Sequence, residues 1–390
     1  MKIRLATYST KARGGVVHAL SLAEALADRG LDVELWALSP DGARFYREPR
    51  VPTRLVAVER RVDEPIDDRI LRYADVLTRA MSDAGPAAIH HAEDCLSARS
   101  MLALRAAGSI DAVVRTIHHV DQFTSPVLDA CQRASIVDVD HRLCVSRHWV
   151  DVVRDEFGVE ADVVANGVDA PRFADCRLDR QAAGAALGWA DRSTVLAVGG
   201  IEPRKGSRTL LAAVAELRAK RPGVLLAIAG GETLFDYGDY RDGWWRDATR
   251  LGMTVHEGRG PVPADADVVI LGPVEDELMP TLFRAADVLA FPSVLEGFGL
   301  VVLEAMAAGT PAVVSDLPVL REHLRDGRDC LMVAVDDHRA LAAALHTALS
   351  DDAVRRTITS GGHATADRFT WARCAEQHEA IYRRIHADSR

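Results

Sequence analysis

The chain has 390 residues, 48% hydrophobic and 27% charged. That composition excludes disordered, collagenous and coiled-coil proteins and, at roughly 150 residues per domain, predicts two or three domains. Its 47 basic against 57 acidic residues leave a formal net charge of −10, the wrong sign for a dedicated nucleic-acid binder, and that class is set aside.

The N-terminus alternates charged and apolar residues and lacks the apolar core and small-residue cleavage site of a signal peptide. Residues 3–8 predict a strand. A loop with Gly14-Gly15 follows, then a helix whose apolar positions Val16, Leu20, Leu22, Ala23 and Leu26 run to Gly30. Further strands are predicted over 32–38, 87–89, 112–117 and 142–145, and a helix over 149–157 stops at Gly158, the usual place for glycine just past a helix. Gly, Pro, Asp and Arg break the periodicity between 166 and 192, which reads as a connection. Beyond it come strands over 194–198, 224–229, 268–271, 288–291 and 311–314, a helix over 207–219, and a closing amphipathic helix over 369–385. The stretch 231–263 reads as an elaborated loop around a short helix. Two series of alternating strands and helices predict two doubly wound α/β domains with ligands at the carboxyl ends of the strands. No run reaches the roughly 18 apolar residues of a membrane span. Six cysteines form no Cys-x-x-Cys pair, so reduced thiols and a cytoplasmic location are the expectation.

The most informative segment is Phe291-Pro292-Ser293-Val294-Leu295-Glu296-Gly297-Phe298-Gly299-Leu300, continuing through Glu304 to Gly309-Thr310-Pro311. A strand ends at Pro292, a loop holds Glu296, and a helix begins near Gly299. The free N–H groups of that helix suit a phosphate oxygen, and Gly297 and Gly299 allow a ligand close to the backbone. Glu296 and Glu304 flank the helix start as hydroxyl acceptors would flank the diphosphate of a sugar nucleotide. The same spacing also fits a helix cap with a solvated Glu296 and a structural Glu304.

Glu-x7-Glu inside Pro-Ser-x-x-Glu-Gly-Phe-Gly-Leu, followed by Glu-Ala-Met-Ala-x-Gly-Thr-Pro, resembles the signature of glycosyltransferase family 4. The likeness extends along the chain: Gly14-Gly15 is similar to the family's N-terminal glycine loop and Ser146 to its usual serine. Asn166-Gly167-Val168-Asp169 is similar to the interdomain turn, Val198-Gly199-Gly200 through Lys205-Gly206 to the diphosphate loop, and Phe369-Thr370-Trp371 to the start of the last helix. The resemblance implies the α/β GT-B fold, two Rossmann-like domains facing a central cleft. An acceptor-side domain would cover 1–168, a sugar-nucleotide domain 169–368, and a crossover helix over 369–390 would return toward the first domain.

The implied activity is metal-independent, retaining transfer of a hexosyl group from a nucleotide diphosphate sugar to an acceptor hydroxyl, with no cofactor. The acceptor is a small molecule or lipid-linked, and membrane contact is at most peripheral. By the same resemblance His118, Lys205 and Glu296 are catalytic. The donor is held by Gly14, Gly15, Arg204, Lys205, Glu296, Gly297, Phe298, Gly299, Leu300 and Glu304, with Glu296 on the transferred sugar and Glu304 on the ribose. One departure is Gly200, where the family often has arginine; Arg204 could supply that charge.

The loop Glu202-Pro203-Arg204-Lys205-Gly206 is not a P-loop, since lysine precedes the glycine, and Gly199-Gly200 does not continue as a dinucleotide fingerprint. Lys11 and Arg13 beside Gly14-Gly15 either attract anions or are solvated. His119 beside His118 blurs which ring is meant. His90-His91-Ala92-Glu93-Asp94-Cys95 clusters possible metal ligands, but neighbours on one short loop rarely close a coordination shell. Asp138-Val139-Asp140 abuts a buried-looking strand and reads as an accidental match to a metal motif. Six arginines between Arg44 and Arg61 stand against Glu48 and Glu59, followed at once by acids, which predicts a mixed solvated surface. A nucleotide-sugar 2-epimerase, a sugar phosphorylase of the same architecture and a non-catalytic sugar-nucleotide binder remain as alternatives.

Overall fold

The computed structural model describes residues 1–189, 192–231 and 237–388. Its strands form two sheets of seven. The first contains β1 (Lys2–Thr7), β2 (Asp32–Pro40), β3 (Thr53–Val58), β4 (Ile89–Ala92), β5 (Val114–Ile117), β6 (His141–Cys144) and β7 (Asp162–Val163), in the order β3-β2-β1-β4-β5-β6-β7. The second contains β8 (Thr194–Val198), β9 (Leu225–Ala229), β10 (Val255–Glu257), β11 (Val268–Gly272), β12 (Val288–Phe291), β13 (Ala312–Ser315) and β14 (Leu331–Val333), in the order β10-β11-β9-β8-β12-β13-β14. Every named pairing is parallel. Strand order reverses between β1 and β4 in one sheet and between β8 and β12 in the other, the switch points at which open α/β sheets take their ligands.

The chain divides into two compact units, Met1–Gly167 with Trp371–Arg390, and Val168–Thr370. The first core gathers Ile3, Leu5, Leu20 and Leu35, and the last helix, Trp371–Asp388, adds Cys374, Ala375, Tyr382 and Ile385 to it. The second gathers Val195, Leu211, Leu226, Trp244 and Leu345. Strands covered on both faces are nearly continuous in apolar residues, which is why most were readable.

The exceptions have physical causes. β4 runs over Ile89–Ala92 rather than 87–89, because His90 and His91 are buried strand residues, 4% and 0% exposed, that an apolar count passes over. β3 is not predicted because Arg54 and the arginines just before the strand mask its alternation. They are paired: Arg47 with Glu24 at 2.7 Å, Arg54 with Glu34 at 3.2 Å and Arg50 with Asp28 at 3.1 Å. The 166–192 connection carries two short helices, Ala170–Ala174 and Arg180–Ala186, while 190–191 lie outside the described residues. Within 231–263, residues 232–236 also lie outside them. The helix there is not short: Gly238–Arg250 is 13 residues and buries Trp244 completely. The closing helix starts at Trp371 because Phe369 and Thr370 pair with Val168, whose N–H donates to the Phe369 carbonyl at 2.9 Å.

Candidate functional site

In the second unit, β8 ends at Val198 and the chain turns at Gly199, φ 140°. It then makes one 3-10 turn, Pro203–Lys205, and enters the helix Ser207–Lys220 through Gly206, φ 60°. A Cβ on Gly206 would stand 2.1 Å from the Pro292 carbonyl oxygen. Only glycine lets this loop lie against the one that follows β12, and the Val294 N–H donates to the Arg204 carbonyl at 2.9 Å.

That approach joins the charges. The Lys205 ammonium donates to Glu296, Arg204 Nη1 lies 3.3 Å from the same Oε1, and Lys205 Nζ sits 5.1 Å from the centre of the Phe291 ring. Glu296 is 9% exposed. Burial pushes its carboxyl up, but the Lys205 and Arg204 cations outweigh burial and hold it below the ordinary range. Lys205 is displaced downward by burial, with Glu296 opposing. The result is an ionised carboxylate gripped by two cations at the β8/β12 crossover.

Gly299, φ 89°, caps the helix Leu300–Ala307, whose first turn has neither a side-chain cap nor an acidic residue. Phe298 turns inward, stacking on His323 at 4.8 Å and meeting Phe369 edge-on at 5.6 Å, which leaves the backbone as what this position has to offer. Burial raises Glu304 to about 7, with Arg172 lowering and Asp276 raising it; those two are themselves paired at 2.8 Å. At Gly200 a Cβ would stand 2.5 Å from the Gly231 carbonyl oxygen. Backbone closes the position where the resemblance expects arginine, and Arg204 brings its charge to Glu296 instead.

In the first unit, Gly14 and Gly15 open the helix Gly14–Asp28. A Cβ on Gly15 would touch the His118 ring at 3.4 Å. His118 follows β5, and its Nε2 lies 3.1 Å from Oε2 of Glu93, which follows β4. His18 Nδ1 meets Asn166 Oδ1 at 2.9 Å, and its Nε2 is 3.7 Å from Glu93. Burial raises Glu93 to about 7 and holds His118 well below 6.5. Sequence reasoning saw Glu93 only as one of a cluster of unlikely metal ligands on a short loop. The available signal was His18, a histidine within an apolar helical stripe three residues after Gly15.

The adjacent histidines diverge: His90 meets Arg4 at 3.2 Å, while His91 bonds Tyr382 at 2.5 Å and Thr116 at 2.8 Å. His119 pairs with Asp121 at 3.1 Å. Asp140 accepts from the Val113 N–H at 2.8 Å and from Arg105 at 2.6 Å, a structural role. Arg13 donates to Tyr8 at 2.5 Å, and Ser146 caps the helix Arg147–Phe157. Among the described residues no group of three or more His, Cys, Asp or Glu is arranged to hold a metal ion, and no helix is long and apolar enough to cross a membrane.

The chain is similar to known proteins along nearly its whole length. It is 31% identical to a phosphatidyl-myo-inositol mannosyltransferase of Mycolicibacterium smegmatis, over 97% of this chain and 92% of that protein. It is 34% identical to a D-inositol 3-phosphate glycosyltransferase of a Nocardioides species, over 65% of this chain and 53% of that protein. Anabaena HepE, solved in complex with UDP-glucose, superposes with a TM-score of 0.77 at 20% identity, over 98% of this chain and 99% of that one, and so shares the α/β GT-B fold. Residues 12–172 match the family described as Glycosyltransferase Family 4, and residues 192–351 match Glycosyl transferases group 1. With both units matched and a full-length relative above 30% identity, the chain belongs to glycosyltransferase family 4 and is a glycosyltransferase.

Proposed function

We propose that this glycosyltransferase moves a hexosyl group from a nucleoside diphosphate sugar to an acceptor hydroxyl, with retention and without a metal ion. The observation that carries the reading is the convergence of Lys205 and Arg204 on Glu296 at the β8/β12 crossover. A departing nucleoside diphosphate gains negative charge, and cations already fixed in a partly dry site stabilise it without reorganising. A diphosphate entering there takes over the cations from Glu296, freeing that carboxylate to accept from hydroxyls of the transferred sugar.

The open start of the helix Leu300–Ala307 offers N–H groups to a phosphate oxygen through Gly297, Phe298, Gly299 and Leu300, and Glu304 holds the ribose. His118, with Gly14 and Gly15, serves the transferred sugar. The donor's own phosphate oxygen takes the acceptor proton. The UDP-glucose named with HepE supports the donor class. Two relatives' names carry an inositol phosphate, which puts that chemistry first among acceptors, free or lipid-linked.

The test is a transfer assay with UDP-, GDP- and ADP-sugars chosen by thermal shift, since ligand at about 100 times its Kd adds about 2.7 kcal/mol. Product analysis separates transfer from epimerisation, phosphorolysis and mere binding. Activity is expected to survive EDTA, and Lys205→Ala to lower turnover by roughly 100- to 1,000-fold at a stability cost of about 1–2 kcal/mol, since Arg204 still pairs with Glu296. Strict dependence on added magnesium or manganese overturns the reading.

A further inference from the structure

A neutral imidazole donates from one nitrogen and accepts at the other, and the partner of either nitrogen decides which. For His118 that partner is Glu93, with Nε2 and Oε2 3.1 Å apart. Glu93 is anchored and buried: its N–H donates to the Ala6 carbonyl at 2.9 Å, its side chain is fully buried, and its Oε1 has no hydrogen-bond partner. We infer that Glu93 is a positioning residue whose protonation selects the His118 tautomer, so that Nδ1 offers either a donor or an acceptor to a sugar hydroxyl. The link to the sugar rests on the function proposed above.

The exchange balances on one proton. As a carboxylic acid, Glu93 donates to Nε2, and Nδ1 carries the ring hydrogen. Loss of one proton from the pair leaves a carboxylate that accepts from Nε2–H, with Nδ1 bare.

The groups around Glu93 do not compete for that proton near neutrality. Burial holds His18 near 3 and His91 well below 6.5; from the last helix His378 is held near 4, while the Cys374 thiol and the Tyr382 phenol are both pushed up. Arg115, lowered from 12.5 by burial, remains a cation, and Asp94 accepts from the amides of Tyr8 at 2.7 Å and Ser97 at 2.8 Å. Glu93 itself, raised to about 7 by burial, is the member that changes charge there.

The experiment uses the full-length chain labelled with 15N-histidine, with no donor or acceptor present. His118 resonances are assigned by their loss in His118→Asn and followed between about pH 6 and 8. In the wild type, Nδ1 is expected to pass from protonated to bare as pH rises, with its midpoint near that of Glu93; in Glu93→Gln one tautomer is expected throughout. In a transfer assay, the wild-type pH profile is expected to bend at the same midpoint, and that of Glu93→Gln to keep only the bend that Glu304, also raised to about 7 by burial, gives both proteins. A wild-type His118 that keeps one tautomer overturns the inference, and so does a tautomer switch that survives Glu93→Gln. Because the resonance measurement needs no substrate and the wild-type arm no variant, a tautomer switch in a protein that binds no nucleoside diphosphate overturns the proposed function and leaves the Glu93–His118 dyad standing.

Discussion

Replacing Glu296 by glutamine keeps the side chain's shape and removes the charge that Lys205 and Arg204 share. Three consequences follow from the geometry together with the proposed function. Glu296 competes with a bound diphosphate for the same cations, and two like charges about 5 Å apart repel by about 3 kcal/mol at an effective dielectric of about 20. Bare nucleoside diphosphate is therefore expected to bind Glu296→Gln at least as well as wild type, up to roughly tenfold tighter once solvent screening is allowed for. Sugar hydroxyls lose a charged acceptor worth about 1.5–3 kcal/mol, so transfer falls by roughly 10- to 150-fold. Lys205, whose proton Glu296 helps to hold, loses that support and its pKa drops further, with about 1–2 kcal/mol of stability lost for a partly buried cation left unpaired. Glu304→Gln differs: if Glu304 serves the ribose, it weakens bare nucleoside diphosphate and sugar nucleotide about equally. The assay is calorimetric titration of both ligands into both variants, each first shown to be folded by circular dichroism. Glu296→Gln weakening bare nucleoside diphosphate as much as Glu304→Gln does would refute the division of labour.

Gly200→Arg, which restores the residue the family often has, is expected to lower the melting temperature by the equivalent of about 1–3 kcal/mol and to gain no activity, because its Cβ falls 2.5 Å from the Gly231 carbonyl oxygen; a more active variant of unchanged Tm refutes this. Acid is expected to open the first unit before the second. His18, His90, His91, His118 and His378 there are all held below their ordinary 6.5, against His323 in the second. The unfolded chain takes up protons that these rings refuse, so their stability contribution is complete above 6.5 and lost as pH falls, at about 1.4 kcal/mol per ring per pH unit. Glu93 and Glu304, raised from 4.5 to about 7, act in the opposite sense, losing stability as pH rises from 4.5 to 7, but each unit has only one of them. Hydrogen exchange read by mass spectrometry between about pH 7 and 5 checks the order, and equal loss of protection in both units contradicts it.

The strand-loop-helix units were legible because each is local. An apolar run, a glycine and an amphipathic stretch are neighbours in sequence, and helix starts such as Gly14-Gly15 and Gly299 lie within a few residues of the strands they follow. Local spacing therefore disclosed the two α/β series, the glycine turns and the segment around Glu296. It could not disclose which side chains meet. Lys205 and Glu296 are 91 residues apart, Glu93 and His118 25, and His18 and Asn166 148. The first pair forms because β12 lies beside β8 and the second because β5 lies beside β4, so that the loops after those strands meet, while the third joins the helix after β1 to the chain leaving β7 at the far edge of the sheet. Polarity misled where partners were distant: His91 reads as a loop residue until Tyr382, 291 positions away, bonds it inside the core. Gly200 reads as a missing cation until the Gly231 carbonyl closes its position. Sheet order and burial are properties of the packed chain, and they alone bring a carboxylate to two cations or strip it of water until it titrates near neutrality.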